Sequence, residues 1–315
     1  MFNIYTTKLN KVKQMNRVKN SFSIKNLEHL SGIKAHTIRI WEKRYNLFEP
    51  ERTDTNIRMY NLENLQKLLN VTLLYNNGYK ISKIAKQSPD EIKENIHNLT
   101  VNKTSDDWSI GLFKLAMINF DQRIFTKTFN ELLELYSFNE IFKNVFIPLL
   151  NELGVLWQTN SISPSHEHFI TSLIKQKIHS ICEDLQLNEP KRKDRRFVLF
   201  LPNNEIHELG LLYLHYEVLS KGFQSVFLGQ SVPIESLNNL VDIGEPITFI
   251  SYFTIEPTQD KVEAYLNTFH SEIIENMDSE LWVLGYQVQF IEKELPNKMH
   301  SFTSIDQLVE ALTLV

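Results

Sequence analysis

Cysteine is almost missing from this 315-residue sequence: Cys182 stands alone, so no disulfide can close within the chain, and a reducing cytoplasm is the simplest expected setting. Glycine is scarce as well. The nine glycines form no Gly-x-Gly pair and no Gly-x4-Gly-Lys, which excludes the dinucleotide fingerprint and the phosphate-cradling P-loop. No apolar run approaches the ~18 residues that cross a bilayer, and residues 1–20 lack the apolar stretch of a secretion signal, so no membrane partner is expected. The rest is the balance of a globular protein, 42% hydrophobic and 23% charged, which disordered and collagen-like chains do not show. At ~150 residues per domain, the length implies two or three domains.

Charge divides the chain. Residues 1–100 hold 17 Lys/Arg against 9 Asp/Glu, leaving 16 against 29 for the remainder, while the whole chain carries a formal −5. Within residues 1–60 the ratio sharpens to 12 basic against 5 acidic. A basic head on an acidic body suits a protein that meets a polyanion at one end only.

The order of residues in that head makes the expectation specific. Ser23 fits a helix N-cap before Ile24, Leu27 and Leu30, and Ser31-Gly32 supplies turn chemistry. A second helix from about Lys34 turns Ile38 and Trp41 inward and projects Thr37, Arg39, Lys43 and Arg44. Two short helices about a glycine turn, the second cationic, form a helix-turn-helix. Pro50 ends it, and 51–60 reads as a wing bearing Arg52 and Arg58, before a helix over 62–75 that stops near Gly78. The stretch from Ser23 to Arg52, followed by Arg58-Met59-Tyr60, closely resembles the winged-helix DNA-binding domain of MerR-type regulators. That resemblance implies a double-stranded DNA operator met by Thr37, Arg39, Arg44 and Tyr45 on the recognition helix and Arg52, Arg58 and Tyr60 at the wing. Such heads pair, so a homo-oligomer, dimer or tetramer, is implied.

Residues 106–186 contain few helix breakers. Helices are expected over 108–119, 121–136, 138–157 (kinked at Pro148) and 163–187, the last opened by Ser163-Pro164. Four such helices with short loops make a bundle. Trp157, Glu167 and His168 stand out at a Trp-x9-Glu-His spacing that helical periodicity does not require.

From Phe197 the rhythm changes to apolar strands alternating with helices. Strands are expected at 197–201, 225–228, 247–252 and 281–284, with helices at 209–220, 261–274 and 305–314. This pattern means a doubly wound parallel α/β sheet, flavodoxin- or Rossmann-like, whose ligands sit at the carboxyl ends of the strands. The loop after its first strand reads Glu205-Ile206-His207-Glu208-Leu209-Gly210. A neutral imidazole there is a good ligand for a borderline metal, and a neighbouring carboxylate can fix its tautomer. No Cys or second His lies at zinc-ligand spacing.

Glu205 to Gly210, with the segment 220–233 downstream, resembles cobalamin-binding domains, and the order of head, helical cap and sheet resembles light-responsive repressors of the CarH/LitR type. The chain thus divides into a basic flexible tail (1–20), a winged head (21–95), a four-helix cap (105–190) and a cobalamin-type domain (195–315). The resemblance implies adenosylcobalamin as cofactor, with cobalt held from below by His207 and from above, after light, by His168. Trp157, Glu167, Glu205, Gly210, Ser251 and Gly285 complete the implied cofactor set. Light then breaks the cobalt–carbon bond and alters oligomeric state and DNA affinity, without enzymatic turnover. Where cobalamin domains carry Gly-Gly, this chain has Gly285-Tyr286, and the third strand retains only Ser251 and Thr254. Two alternatives follow: a regulator whose degenerate pocket answers to a protein partner, and a corrinoid carrier for methyl transfer.

Overall fold

The computed structural model describes residues 21–100, 106–243, 246–276 and 278–315. The basic tail expected over 1–20 lies outside them. The described chain forms two compact units that divide within one long helix, after Leu173.

The first unit opens with β1 (Ser21–Ser23), α1 (Ile24–Ser31) and α2 (Ala35–Tyr45). Ser23 caps α1 as the sequence predicts: its Oγ accepts the Asn26 amide at 3.3 Å while Asn26 Oδ1 accepts the Ser23 amide at 3.0 Å. Gly32 ends the helix at φ 74°, left-handed backbone that a glycine enters without strain. β2 (Glu51–Arg52) and β3 (Arg58–Asn61) form the wing, and β1 joins them antiparallel in the order β1-β3-β2. The β1 strand escaped the sequence reading because three residues carry too little alternation to register. α3 (Leu62–Asn76), α4 (Ile81–Ile84) and α5 (Pro89–Thr100) complete the head.

The bundle continues with α6 (Asp106–Asn119), α7 (Gln122–Leu133) and a long helix made of α8 (Phe138–Ile141), a π-helical turn (Phe142–Phe146) and α9 (Ile147–Gln158). The kink expected at Pro148 takes this form. The Ile147 amide reaches back five residues to the Phe142 carbonyl, a wider turn that accommodates a proline lacking its own N–H. Phe125, Phe129 and Phe146 stack nearly parallel inside, with centroids 5.9 to 6.4 Å apart. Head and bundle pack as one body. Gly111 of α6 lies against α3, where an added Cβ would meet Leu73 Cδ2 at 2.5 Å, and Asn26 Nδ2 donates to buried Ser161 Oγ at 3.1 Å.

The unit boundary falls within α10 (Pro164–Gln186), whose later part belongs to the sheet unit. There follow β4 (Arg192–Phe200), α11 (Leu209–Ser220), β5 (Phe223–Gly229), α12 (Ile234–Leu237), β6 (Ile247–Tyr252), α13 (Val262–Phe269), β7 (Ser279–Leu284), β8 (Met299–Phe302) and α14 (Ile305–Leu314). Among the described residues these five strands run parallel in the order β5-β4-β6-β7-β8. Because strands buried on both faces need no alternation, their apolar runs were readable from sequence. The polar edge strand β8 was not. Phe200, Phe249 and Phe269 fill one face of the sheet; Phe197, Leu199, Leu214 and Trp282 fill the other.

Candidate functional site

In the head, α2 presents exposed Arg39, Lys43 and Arg44 with half-buried Thr37, opposite buried Ile38 and Trp41. The Arg44 guanidinium lies 5.5 Å from the centroid of half-buried Tyr45, which steadies the cation at the helix end. Arg52 is exposed on the wing and donates to Asn56 Oδ1 at 2.5 Å. Arg58 is tied inward: its Nε donates to Glu42 Oε1 at 3.0 Å, an ion pair that raises the arginine's pKa. Tyr60 corrects an expectation. It is fully buried, its hydroxyl donates to Glu42 Oε2 at 2.8 Å, and burial, with Glu42, pushes its pKa up, so it cannot touch DNA from the wing. Glu42, which sequence reasoning passed over, thereby joins recognition helix to wing. Its only sequence signal is an acid beside Trp41 in an otherwise cationic helix.

In the bundle, Trp157 is half-buried on α9. Exposed His168 lies with Nδ1 3.4 Å from Glu167 Oε2 at the entry to α10. Two residues before His168, His166, not foreseen, is 1% exposed and stacks on Phe120 at 4.8 Å. Its Nδ1 accepts the Ser163 amide at 3.2 Å, closing the helix start, and burial lowers its pKa to about 4.

The sheet order places a reversal between β4 and β6, where the connections diverge; in such sheets ligands take the crevice outside the carboxyl ends at that point. His207 sits on the loop after β4 at that point. Its Nδ1 is 2.5 Å from Glu205 Oε1, and Glu205 is only 1% exposed. The same carboxylate accepts the amides of Ile206 and His207 at 2.8 and 2.9 Å, and with Oε2 those of Ile255 and Glu256 at 2.6 and 2.9 Å. One buried anion thus ties together the loops after β4 and β6. Burial opposes its ionisation, yet hydrogen bonds from His207, Glu256 and Ile255 outweigh it and hold the carboxyl at about 2. An ionised Glu205 accepts a hydrogen bond from Nδ1–H, so the imidazole's lone pair resides on Nε2. Glu208 pairs with Lys175 at 3.0 Å.

That donor set fits a metal already held by another ligand frame, a single oriented imidazole with a carboxylate behind it. It does not fit an ion needing several protein ligands, since the described residues hold no cluster of three or more His, Cys, Asp or Glu suited to a metal. Glu205 is closed off from solvent and meets His207 and four loop amides. Ser251 corrects another expectation: it is fully buried and its hydroxyl donates to the Phe200 carbonyl at 3.0 Å, so it is spent on holding β6 to β4. Gly285, at φ 116°, is demanded by the fold itself, for a Cβ there would lie 2.4 Å from the Phe253 carbonyl oxygen. Gly210 faces the Tyr252 ring, whose Cε2 would be 2.7 Å from an added Cβ.

Residues 22–89 match the MerR HTH family regulatory protein model, and residues 112–181 match the B12 binding domain model. These matches define the class of two segments: a MerR-type helix-turn-helix at the head, followed by a B12 binding domain. The chain is 26% identical to the HTH-type transcriptional repressor CarH of Myxococcus xanthus over 67% of this chain and 72% of that one. To the repressor CarA of the same organism it is 25% identical, over 68% and 70%. Both are named as repressors rather than enzymes. The fold of the monomethylamine corrinoid protein of Methanosarcina barkeri superposes with a TM-score of 0.55 at 13% identity, covering 67% of this chain and all of that one. No helix of the described residues is long and apolar enough to cross a membrane.

Proposed function

We propose that this chain is a transcriptional repressor whose grip on DNA is set by a bound cobalamin, with His207 as the lower ligand of cobalt. The observation that carries the reading is the buried Glu205 carboxylate 2.5 Å from His207 Nδ1, which fixes the tautomer and aims a basic Nε2 from the crevice. Arg39, Arg44 and Arg52, exposed on helix and wing, supply the phosphate contacts, with Thr37 and Tyr45 beside them. In its adenosyl form, the cofactor supplies a light-labile cobalt–carbon bond. Trp157, Glu167 and His168 are the candidates the helical unit offers to a cofactor, His168 as the residue that would hold the metal after light. The protein works as a dimer or tetramer, since paired heads read paired half-sites.

The test is an absorption spectrum of protein mixed with adenosylcobalamin in darkness and after green light, with mass and operator binding followed alongside. Wild type takes up the pigment, and light changes its mass and DNA affinity. His207→Ala stays colourless or binds the ligand in a different spectral form. Equal uptake by both, with one spectrum, removes the reading. Tyr286 beside Gly285 and the Tyr252 ring against Gly210 favour the second reading, a regulator without cobalamin that answers to a protein partner. Operator binding by a protein that never becomes coloured selects it.

A further inference from the structure

Beyond this reading, and resting on it, we infer that Tyr252 is a specificity-determining gate: its ring fills the notch at Gly210, on the helix that follows the His207 loop, and favours corrinoids that carry little below the metal. The crevice lies where β4 and β6 part, and Glu205 binds the loops leaving both strands. Tyr252 is the last residue of β6, and Gly210 is the second residue of α11, the helix that follows the His207 loop. The two meet across the opening. Gly210 leaves a notch that a ligand could enter, and the Tyr252 ring occupies it, with Cε2, Cδ2 and Cζ at 2.7, 3.1 and 3.1 Å from the place of a Cβ.

The ring is held by contact alone. It packs against the aliphatic and aromatic cluster around Leu199 and Leu214, and its hydroxyl has no hydrogen-bond partner among the described residues. The residue keeps some exposure, while burial around its hydroxyl raises its pKa. A side chain with no polar tether can leave its notch at the cost of its packing. A corrinoid held by His207 would have to pass any nucleotide loop by the start of α11, where this ring stands. A corrinoid with a full nucleotide loop must therefore drive Tyr252 out. One lacking that loop need not.

The experiment compares cobinamide, which lacks the nucleotide loop, with hydroxocobalamin, which carries it, by absorbance titration of the full chain. Wild type, Tyr252→Phe, Tyr252→Ala and His207→Ala are titrated in parallel. Wild type and Tyr252→Phe bind cobinamide about tenfold more tightly than hydroxocobalamin, or more. Tyr252→Ala gains affinity for hydroxocobalamin and brings the two within about twofold, a tenfold step being 1.4 kcal/mol. An unchanged ratio in Tyr252→Ala overturns the gate while leaving the His207 reading standing. Ligand binding by none of the folded proteins, or equal spectra with and without His207, overturns both. A ligand-free readout guards against a misfolded variant. Gly210→Ala lowers the melting temperature of wild type and has a smaller effect in Tyr252→Ala, since the clash it creates is with that ring. Additive effects of the two substitutions overturn the contact on which the gate depends.

Discussion

The head and the sheet each pin a functional loop with one carboxylate, but they anchor it differently. Glu42 on α2 receives two side chains, the Arg58 guanidinium and the Tyr60 hydroxyl, and so couples helix to wing through groups that another sequence could replace. Glu205 receives four backbone amides and one imidazole, so it supports the shape of two loops before it supports any ligand. The first clamp tunes a surface; the second builds a site. Losing Glu42 leaves half-buried Arg58 to water and strands one buried hydroxyl, that of Tyr60, whereas losing Glu205 deprives four part-buried amides of their acceptor at once.

Substitution at Glu205 should therefore have the largest effect. Glu205→Ala strips the amides of Ile255 and Glu256 and frees His207, with an expected loss of about 3 kcal/mol or more and loss of pigment uptake. Chemical denaturation and the cobalamin spectrum measure the two. A stable variant would make the two clamps equivalent and break the contrast.

Acid probes both units through neutral buried histidines. Burial lowers the pKa of His166 and, together with His179, that of His215, each to about 4 from the usual 6.5. The unfolded chain binds those protons first, so the stability they protect is complete above pH 6.5 and drains away as pH falls toward 4. The expected loss approaches about 3 kcal/mol for each. His166→Phe should flatten the acid limb of the helical unit, and His215→Phe that of the sheet unit, in urea unfolding at pH 7 and pH 4.5. His215 also holds Ser225 Oγ at 2.7 Å, so its variant should lose some stability at pH 7 as well.

Breaking the other clamp should cost less stability and more function. Glu42→Gln loosens the wing, with an expected destabilisation of about 1 kcal/mol and a severalfold fall in operator affinity. A binding isotherm across salt concentrations separates this from Arg44→Ala, which removes a phosphate contact and lowers the salt slope by about one. The smallest expected effect lies at the joint of head and bundle. Ser161→Ala removes the hydrogen bond that Asn26 Nδ2 donates to it and should lower stability by about 1 kcal/mol, read by thermal melting.

What was legible follows from periodicity. Helices α11 and α14 and strand β6 were readable to the residue because each carries a strong apolar rhythm, and Ser23 and Gly32 announced the caps of α1. β8 was not, since Met299–Phe302 has a mixed edge composition. Tyr60 and Ser251 were assigned to ligands by their place in a motif, and both proved to be spent on the protein's own hydrogen bonds. Tyr252 carried no local signal at all, because its partner Gly210 lies 42 residues away along the chain.

By itself the sequence determined the winged head, the helical cap, the parallel sheet and the candidate ligand His207, because each rests on local pattern: period, cap, charge and motif. Tertiary structure alone decided that Glu42 binds the wing, that Glu205 is an ionised anchor for two loops, and that a tyrosine stands in the notch beside Gly210. Burial and hydrogen-bond partners arise when distant segments meet in a low-dielectric interior, and no local stretch of residues records that meeting.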